Sequence, residues 1–144
     1  MLIDFGAKYH NYCSDLTRTF FVGRAGEKEK ELYSKVFEAQ KMAEEKITEG
    51  AKASEIFNEI NSFLKRECGQ ELQHGLGHGL GLEVHDFPGG FTSVSKDILK
   101  ENMVLTVEPG IYKKFGGIRI EDDILVLKKG CKKLSNASSE LIEL

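Results

Sequence analysis

The feature that most constrains this chain is where its acids stand. Asp4 lies in Leu-Ile-Asp-Phe-Gly, Glu108 in Leu-Thr-Val-Glu-Pro-Gly, and Glu121 in Ile-Arg-Ile-Glu-Asp-Asp-Ile. β-Branched and aromatic neighbours favour a pleated, half-buried backbone. A solvated carboxylate does not normally stand in such a run. Most of the 23 Asp and Glu read as surface charge. These few need either water or a counter-charge wherever the strands come together.

The surrounding pattern gives the elements. Residues 1–23 read as a β-hairpin, with strand-favouring types on both sides of Lys8-Tyr9-His10-Asn11. From Glu27 the period changes: Leu32, Val36, Ala39, Ala43 and Ile47 recur at helical spacing, predicting an amphipathic helix that ends at Gly50. Ala53, Ile56, Phe57, Ile60 and Leu64 predict a second helix closed by Gly69, with Ser54 as its cap. The chain then turns extended and glycine-rich, and 86–101 reads as a surface loop around Pro88-Gly89-Gly90. Strands are expected at Met103–Val107 and Ile118–Leu127, joined through a turn at 113–117, and a short one at Leu141–Leu144. A hairpin, two helices and then several strands argue α+β with an antiparallel sheet.

Composition bounds the class. A chain of 144 residues with 40% hydrophobic and 30% charged residues is one globular domain in size and is not disordered. The net charge of −3 gives no nucleic-acid or membrane-surface signal, and no apolar run could span a bilayer. No basic start or apolar segment follows Met1, so no secretory signal is expected. Cys13, Cys68 and Cys131 are odd in number and far apart, which suits a reducing, cytoplasmic setting.

The acids pair by symmetry. A first turn centred between Tyr9 and His10 sets Asp4 directly opposite Asp15. A last turn centred between Lys114 and Phe115 sets Glu108 opposite Glu121, with Pro109 a potential bulge. Opposed like charges destabilise a sheet, and one of a half-buried pair should protonate unless a cation sits between them. Two such hairpins converging in one core are best tolerated around a metal pair. His74, His78 and His85 fall in one short glycine-rich stretch, QHGLGHGLG and its continuation, which marks a site rather than scattered histidines. One imidazole with four carboxylates is an oxygen-rich donor set that suits manganese, cobalt or iron, with zinc also compatible.

Five segments then resemble the pita-bread metallopeptidases, the family of Xaa-Pro dipeptidase (prolidase), aminopeptidase P and methionine aminopeptidase. They are Ile3–Gly6, Tyr12–Thr19, Gly77–His85, Thr106–Tyr112 and Gly117–Asp122, in order along the chain. The Ser-Asp-Leu-Thr-Arg-Thr string and the thirteen-residue step from Glu108 to Glu121 resemble the prolidase and aminopeptidase P branch. The resemblance implies a pita-bread fold and two divalent metal ions, manganese or cobalt, with zinc or iron as alternatives. It implies Asp4 on one metal, Asp15 and Glu121 bridging both, and His78 and Glu108 completing the second. Glu108 would also shuttle the proton and His85 would contact the scissile carbonyl or its oxyanion, with His74 and Arg119 in support. The implied substrate is a short peptide with proline in second position, hydrolysed by a metal-activated water.

In that family other strands and helices precede the first ligand strand, on which residue 1 here falls. The expectation is therefore a single catalytic domain over 1–144, truncated at its N-terminal half, with an uncovered sheet edge that favours a homo-oligomer and no nucleic-acid or membrane partner. The alternative is a catalytically weak or inactive peptide- or protein-binding module of the same fold. A metal-independent C–N hydrolase resembling creatinase is disfavoured by the intact carboxylate set.

Overall fold

The fold was obtained as a computed structural model, which describes residues 1–114 and 116–144. Two antiparallel strands open the chain, β1 (Leu2–Tyr9) and β2 (Tyr12–Phe21), followed by helices α1 (Glu27–Lys46) and α2 (Ala53–Cys68). Six short strands complete it: β3 (Val104–Val107), β4 (Gly110–Lys113), β5 (Gly116–Arg119), β6 (Asp122–Val126), β7 (Cys131–Lys133) and β8 (Ile142–Glu143). The pairings are antiparallel, as expected, except that β8 adds to β2 in parallel. The β7 strand was not anticipated.

The first turn differs from the expected one. His10 and Asn11 both have positive φ, 47° and 68°, as a two-residue primed hairpin turn requires. The turn therefore centres one residue later, and Tyr9 pairs with Tyr12. Asp4 lies opposite Thr17, and Asp15 opposite Gly6. Moving the centre by one residue shifts each partner by two, so Asp4 and Asp15 stay on one face as diagonal neighbours.

The last hairpin keeps the expected register. Val107 pairs with Asp122 in the β3–β6 ladder and Gly110 with Arg119 in the β4–β5 ladder, both symmetric about Lys114–Phe115. Phe115 itself, at the expected centre of the turn, lies outside the described residues. The expected single strand from Ile118 to Leu127 is broken at Ile120–Glu121. Pro109 has no N–H to donate, and the Glu121 N–H turns to the Thr17 carbonyl at 3.1 Å. Glu108 and Glu121 face each other across that break.

The helices supply one side of the core. Leu32, Val36, Ala39 and Ala43 of α1 and Ile56, Ile60 and Leu64 of α2 are buried in one cluster with Leu105, Val107 and Ile124 of the strands and Ile120 at the break. The first helix ends at Lys46, earlier than Gly50 suggested, with Ile47 already extended but buried. Ser54 is not a cap: Lys52 occupies that position with no side-chain bond. Gly69 does close α2, in the left-handed conformation. The 86–101 loop is not wholly a surface feature, because Phe91 and Leu99 are buried. Among the described residues, no helix is long and apolar enough to cross a membrane.

Ile60 of α2 has no exposed surface and belongs to the shared core cluster. Ile60→Ala is expected to destabilise the fold by about 2–5 kcal/mol, read from the midpoint of urea unfolding.

Candidate metal centre

The glycine-rich segment lies along β3. Leu76 accepts from the Glu108 N–H at 2.8 Å, His78 accepts from Thr106 at 2.8 Å, and Leu80 donates to Val104 at 3.0 Å. On its other side, Phe91 donates to the Gly77 carbonyl and Leu76 to the Phe91 carbonyl. Strands this close leave no room for a side chain at residue 77, where a Cβ would stand 2.0 Å from the Thr106 carbonyl oxygen. Glycine thus lets His78 reach the neighbourhood of Glu108.

All eight residues singled out from the sequence line one cleft of about 690 Å³: Asp4, Asp15, His74, His78, His85, Glu108, Arg119 and Glu121. The tightest grouping comes from Asp15, His78 and Glu121, whose ligand atoms lie within 4.8 Å of one another. His78 Nε2 is 3.8 Å from Asp15 Oδ2 and 3.5 Å from Glu108 Oε1. Asp4 stands at the mouth, outside the tight grouping, and is paired with the Arg119 guanidinium.

The histidines are oriented by acceptors. His78 Nδ1 lies 3.0 Å from the Gly79 carbonyl, which can only accept, so Nδ1 donates there and Nε2 is the ring nitrogen that faces the acids. The same logic fixes His74, whose Nδ1 donates to the Gly75 carbonyl at 2.7 Å. Its Nε2 then accepts from the Tyr112 hydroxyl at 2.8 Å. His85 meets His78 edge to face, with ring centroids 4.1 Å apart.

Several residues of the site carried no role in the sequence reading. Thr17 donates to Glu121 Oε2 at 2.5 Å and accepts from Arg119 Nε at 3.2 Å. Thr106 donates to Glu108 Oε1 at 3.3 Å and accepts from the His78 N–H at 3.0 Å. Tyr112 accepts from Arg119 at 2.9 Å, and Asp123 accepts from the Asp15 N–H at 3.3 Å. The available signal was strand periodicity, since Thr17 and Thr106 each sit two residues from an acid on the same face.

Burial dominates the electrostatics. It raises Glu121 to about 8, with the charges of Glu108, Asp15 and Asp4 acting in the same sense against the Thr17 hydrogen bond. Burial likewise raises Glu108 and Asp15, and in Asp15 the Asp4 charge adds to it. Burial pushes Asp123 up to about 6. Crowded carboxylates held back from ionising, beside an imidazole nitrogen, form a donor set that fits a hard or borderline divalent cation.

The description "Metallopeptidase family M24" matches residues 1–128, and the chain belongs to that family. Its fold is the pita-bread α+β fold. The chain is 46% identical over 144 residues to the Xaa-Pro dipeptidase of Pyrococcus horikoshii, an alignment covering 99% of this chain and 41% of that protein. The crystal structure of the prolidase from the same organism superposes with a TM-score of 0.92, over 98% of this chain and 41% of that one. An X-Pro aminopeptidase from Thermotoga maritima gives a TM-score of 0.93 at 38% identity, over 99% of this chain and 41% of that one. The chain thus spans about two fifths of the length of these relatives.

A carboxyl with a raised folded pKa holds its proton in the fold after the unfolded chain has released it, so stability falls as pH rises between the two values. For metal-free protein, Glu121 places that fall between 4.5 and about 8, and Asp123 adds to it between 3.8 and about 6. A cation that binds ionised carboxylates offsets the loss. Calorimetric melting is expected to show a larger rise in Tm with manganese or cobalt at pH 8 than at pH 5; an equal rise at both would contradict the assignment.

Proposed function

We propose that this chain carries a dinuclear metallopeptidase centre that hydrolyses Xaa-Pro bonds in dipeptides or short peptides, with residues 1–144 acting as one catalytic unit. The convergence of Asp15, His78 and Glu121 at the base of one cleft carries the reading. Asp4, Asp15, His78, Glu108 and Glu121 would hold two divalent ions. Manganese or cobalt suits this oxygen-rich set best, and zinc or iron is compatible. Bound there, the ions would supply positive charge that makes a water acidic enough to attack near neutral pH and that polarises the scissile carbonyl.

The rest of the reaction falls to side chains. Glu108, raised by burial, is suited to take a proton and pass it to the leaving amine. His85, on the wall of the cleft, is placed to donate a hydrogen bond to the carbonyl oxygen as it gains charge. His74, locked between Gly75 and Tyr112, and Arg119, which ties Asp4 to Thr17, keep the donors aimed. The relatives named Xaa-Pro dipeptidase and X-Pro aminopeptidase support proline as the second residue of the substrate.

Asp15→Asn and Glu121→Gln are each expected to abolish both manganese binding and Xaa-Pro dipeptide hydrolysis. Unchanged turnover in either would remove the mechanism.

A second copy of the chain is the partner this reading adds. The β1 strand pairs with β2 alone among the described strands, leaving its outer edge open, and Phe5 and Tyr9 on it are 60% and 77% exposed. An antiparallel edge can pair with its own copy about a two-fold axis. Light scattering after size exclusion is expected to show an oligomer, and a monomer would count against it. A cytoplasmic location is part of the same reading, supported by three free cysteines.

A further inference from the structure

The β2 strand has two working faces. Asp15 and Thr17 serve the cleft side, and Arg18 points the other way with 5% of its surface exposed. Its Nη1 donates to the carbonyls of Thr17 at 2.9 Å and Glu121 at 2.5 Å. Its Nη2 donates to Asp122 Oδ1 at 2.7 Å and to the Ala137 carbonyl at 2.8 Å, and its Nε to the Ser138 carbonyl at 2.7 Å. Asp122, with no exposed surface, also accepts from Lys133 at 2.7 Å and from Gln40 Nε2 at 3.0 Å. Gln40 stands in the apolar stripe of α1. Its amide reaches the carbonyls of Val107 and Ile120, both at 3.3 Å. Those two residues immediately precede Glu108 and Glu121.

We propose that Arg18, Asp122 and Gln40 form a positioning node that fixes the backbone on which Glu108 and Glu121 stand, and so sets the geometry of the cation site in front of it. The inference rests on the metal reading given above. Its basis is the break in the ladder. No described backbone N–H reaches the carbonyls of Ile120 and Glu121, because the strand pairing is interrupted there. The backbone there is otherwise held only through its N–H groups, by the Thr17 and Pro109 carbonyls, and the guanidinium and the amide supply the missing donors to its carbonyls. Stability alone does not account for these groups. Replacing a buried ion pair by apolar residues is often neutral or stabilising. Gln40 also buries an oxygen, Oε1, that has no partner, a cost that an apolar residue would avoid.

The geometry requires arginine in particular. Its planar fork meets acceptors on β2, on Glu121, on Asp122 and on the 137–138 segment at once, whereas a lysine ammonium is a point charge with three donors. Arg18→Lys therefore keeps the charge opposite Asp122 but loses the reach to the Glu121 carbonyl. Gln40→Met keeps the core volume and removes only the bonds to Val107, Ile120 and Asp122. Lys133→Met removes the other cation from Asp122 and touches no carbonyl beside a metal ligand.

The test measures manganese binding by titration calorimetry on the unaltered chain and these three variants after metal stripping, alongside their melting temperatures. Arg18→Lys and Gln40→Met are expected to bind manganese about 10- to 100-fold more weakly. Lys133→Met is expected to melt lower while keeping its affinity. An unchanged affinity in Arg18→Lys and Gln40→Met overturns the node, as does an equal loss in Lys133→Met, which would mark a general effect of lowered stability. Should Arg18→Lys fail to fold, Gln40→Met decides alone. If the unaltered chain takes up no manganese, the metal reading falls and the node with it; if it binds and the two variants bind equally, only the node falls.

Discussion

The burial of several carboxylates together in one half-dry cleft is the constraint on which the rest of this structure depends. Asp15, Glu108 and Glu121 are all held above their ordinary range, chiefly by burial. Such a group is tolerable only with hydrogen-bond donors, a proton or a cation nearby. The chain supplies donors one at a time: Thr17 to Glu121, Thr106 to Glu108, Arg119 to Asp4. Each threonine contributes a single hydroxyl, which leaves the remaining carboxylate oxygens uncommitted. Charge left unbalanced on the cleft side, with every donor aimed from the protein side, is the arrangement a cation completes.

Glycine has a related part. An imidazole can join this cluster only if its segment lies flat against β3, and the Thr106 carbonyl fills the space that a Cβ at residue 77 would need. His78 is then fixed in tautomer by the Gly79 carbonyl and in height by the Thr106 hydroxyl. A glycine-rich segment thus becomes one of the better-determined walls of the site, because both its edges carry hydrogen bonds.

What could be read in advance follows the same physics. The helices were legible because buried positions repeat every three or four residues, and Leu32, Val36, Ala39 and Ala43 are all in the core. The last hairpin was legible because its acids are symmetric about its turn. The first hairpin was off by one residue at its centre, although His and Asn are the two residues of Tyr-His-Asn-Tyr that most readily take positive φ, and they do so here. The error left the site intact because strand faces repeat every two residues, and a two-residue shift of partner returns each side chain to its own face. Ser54 misled for a different reason: its residue type suits a cap, but the helix begins one residue earlier, at Ala53. The supporting donors were illegible as roles. A threonine in a strand is ordinary, and only the fold shows Thr17 lying between Arg119 and Glu121.

Strand alternation also explains how one short sequence serves both sides of the centre. In Asp15-Leu16-Thr17-Arg18 the acid Asp15 and Thr17, which bonds Glu121, share the face of the acids, and Arg18 faces the core. Glu121 and Asp122 divide in the same way, the first toward Thr17 and the second toward Arg18 and Gln40. A residue in the middle of an uninterrupted ladder has its backbone fixed by its neighbours and needs no such arrangement. Glu121 sits at a break, where Pro109 cannot donate and the Glu121 N–H has turned toward β2. That break frees the acid to reach the cleft from a position between two ladders. The same break removes the ordinary means of holding it still, so a buried guanidinium behind the strand and a hydroxyl in front of it are two halves of one solution.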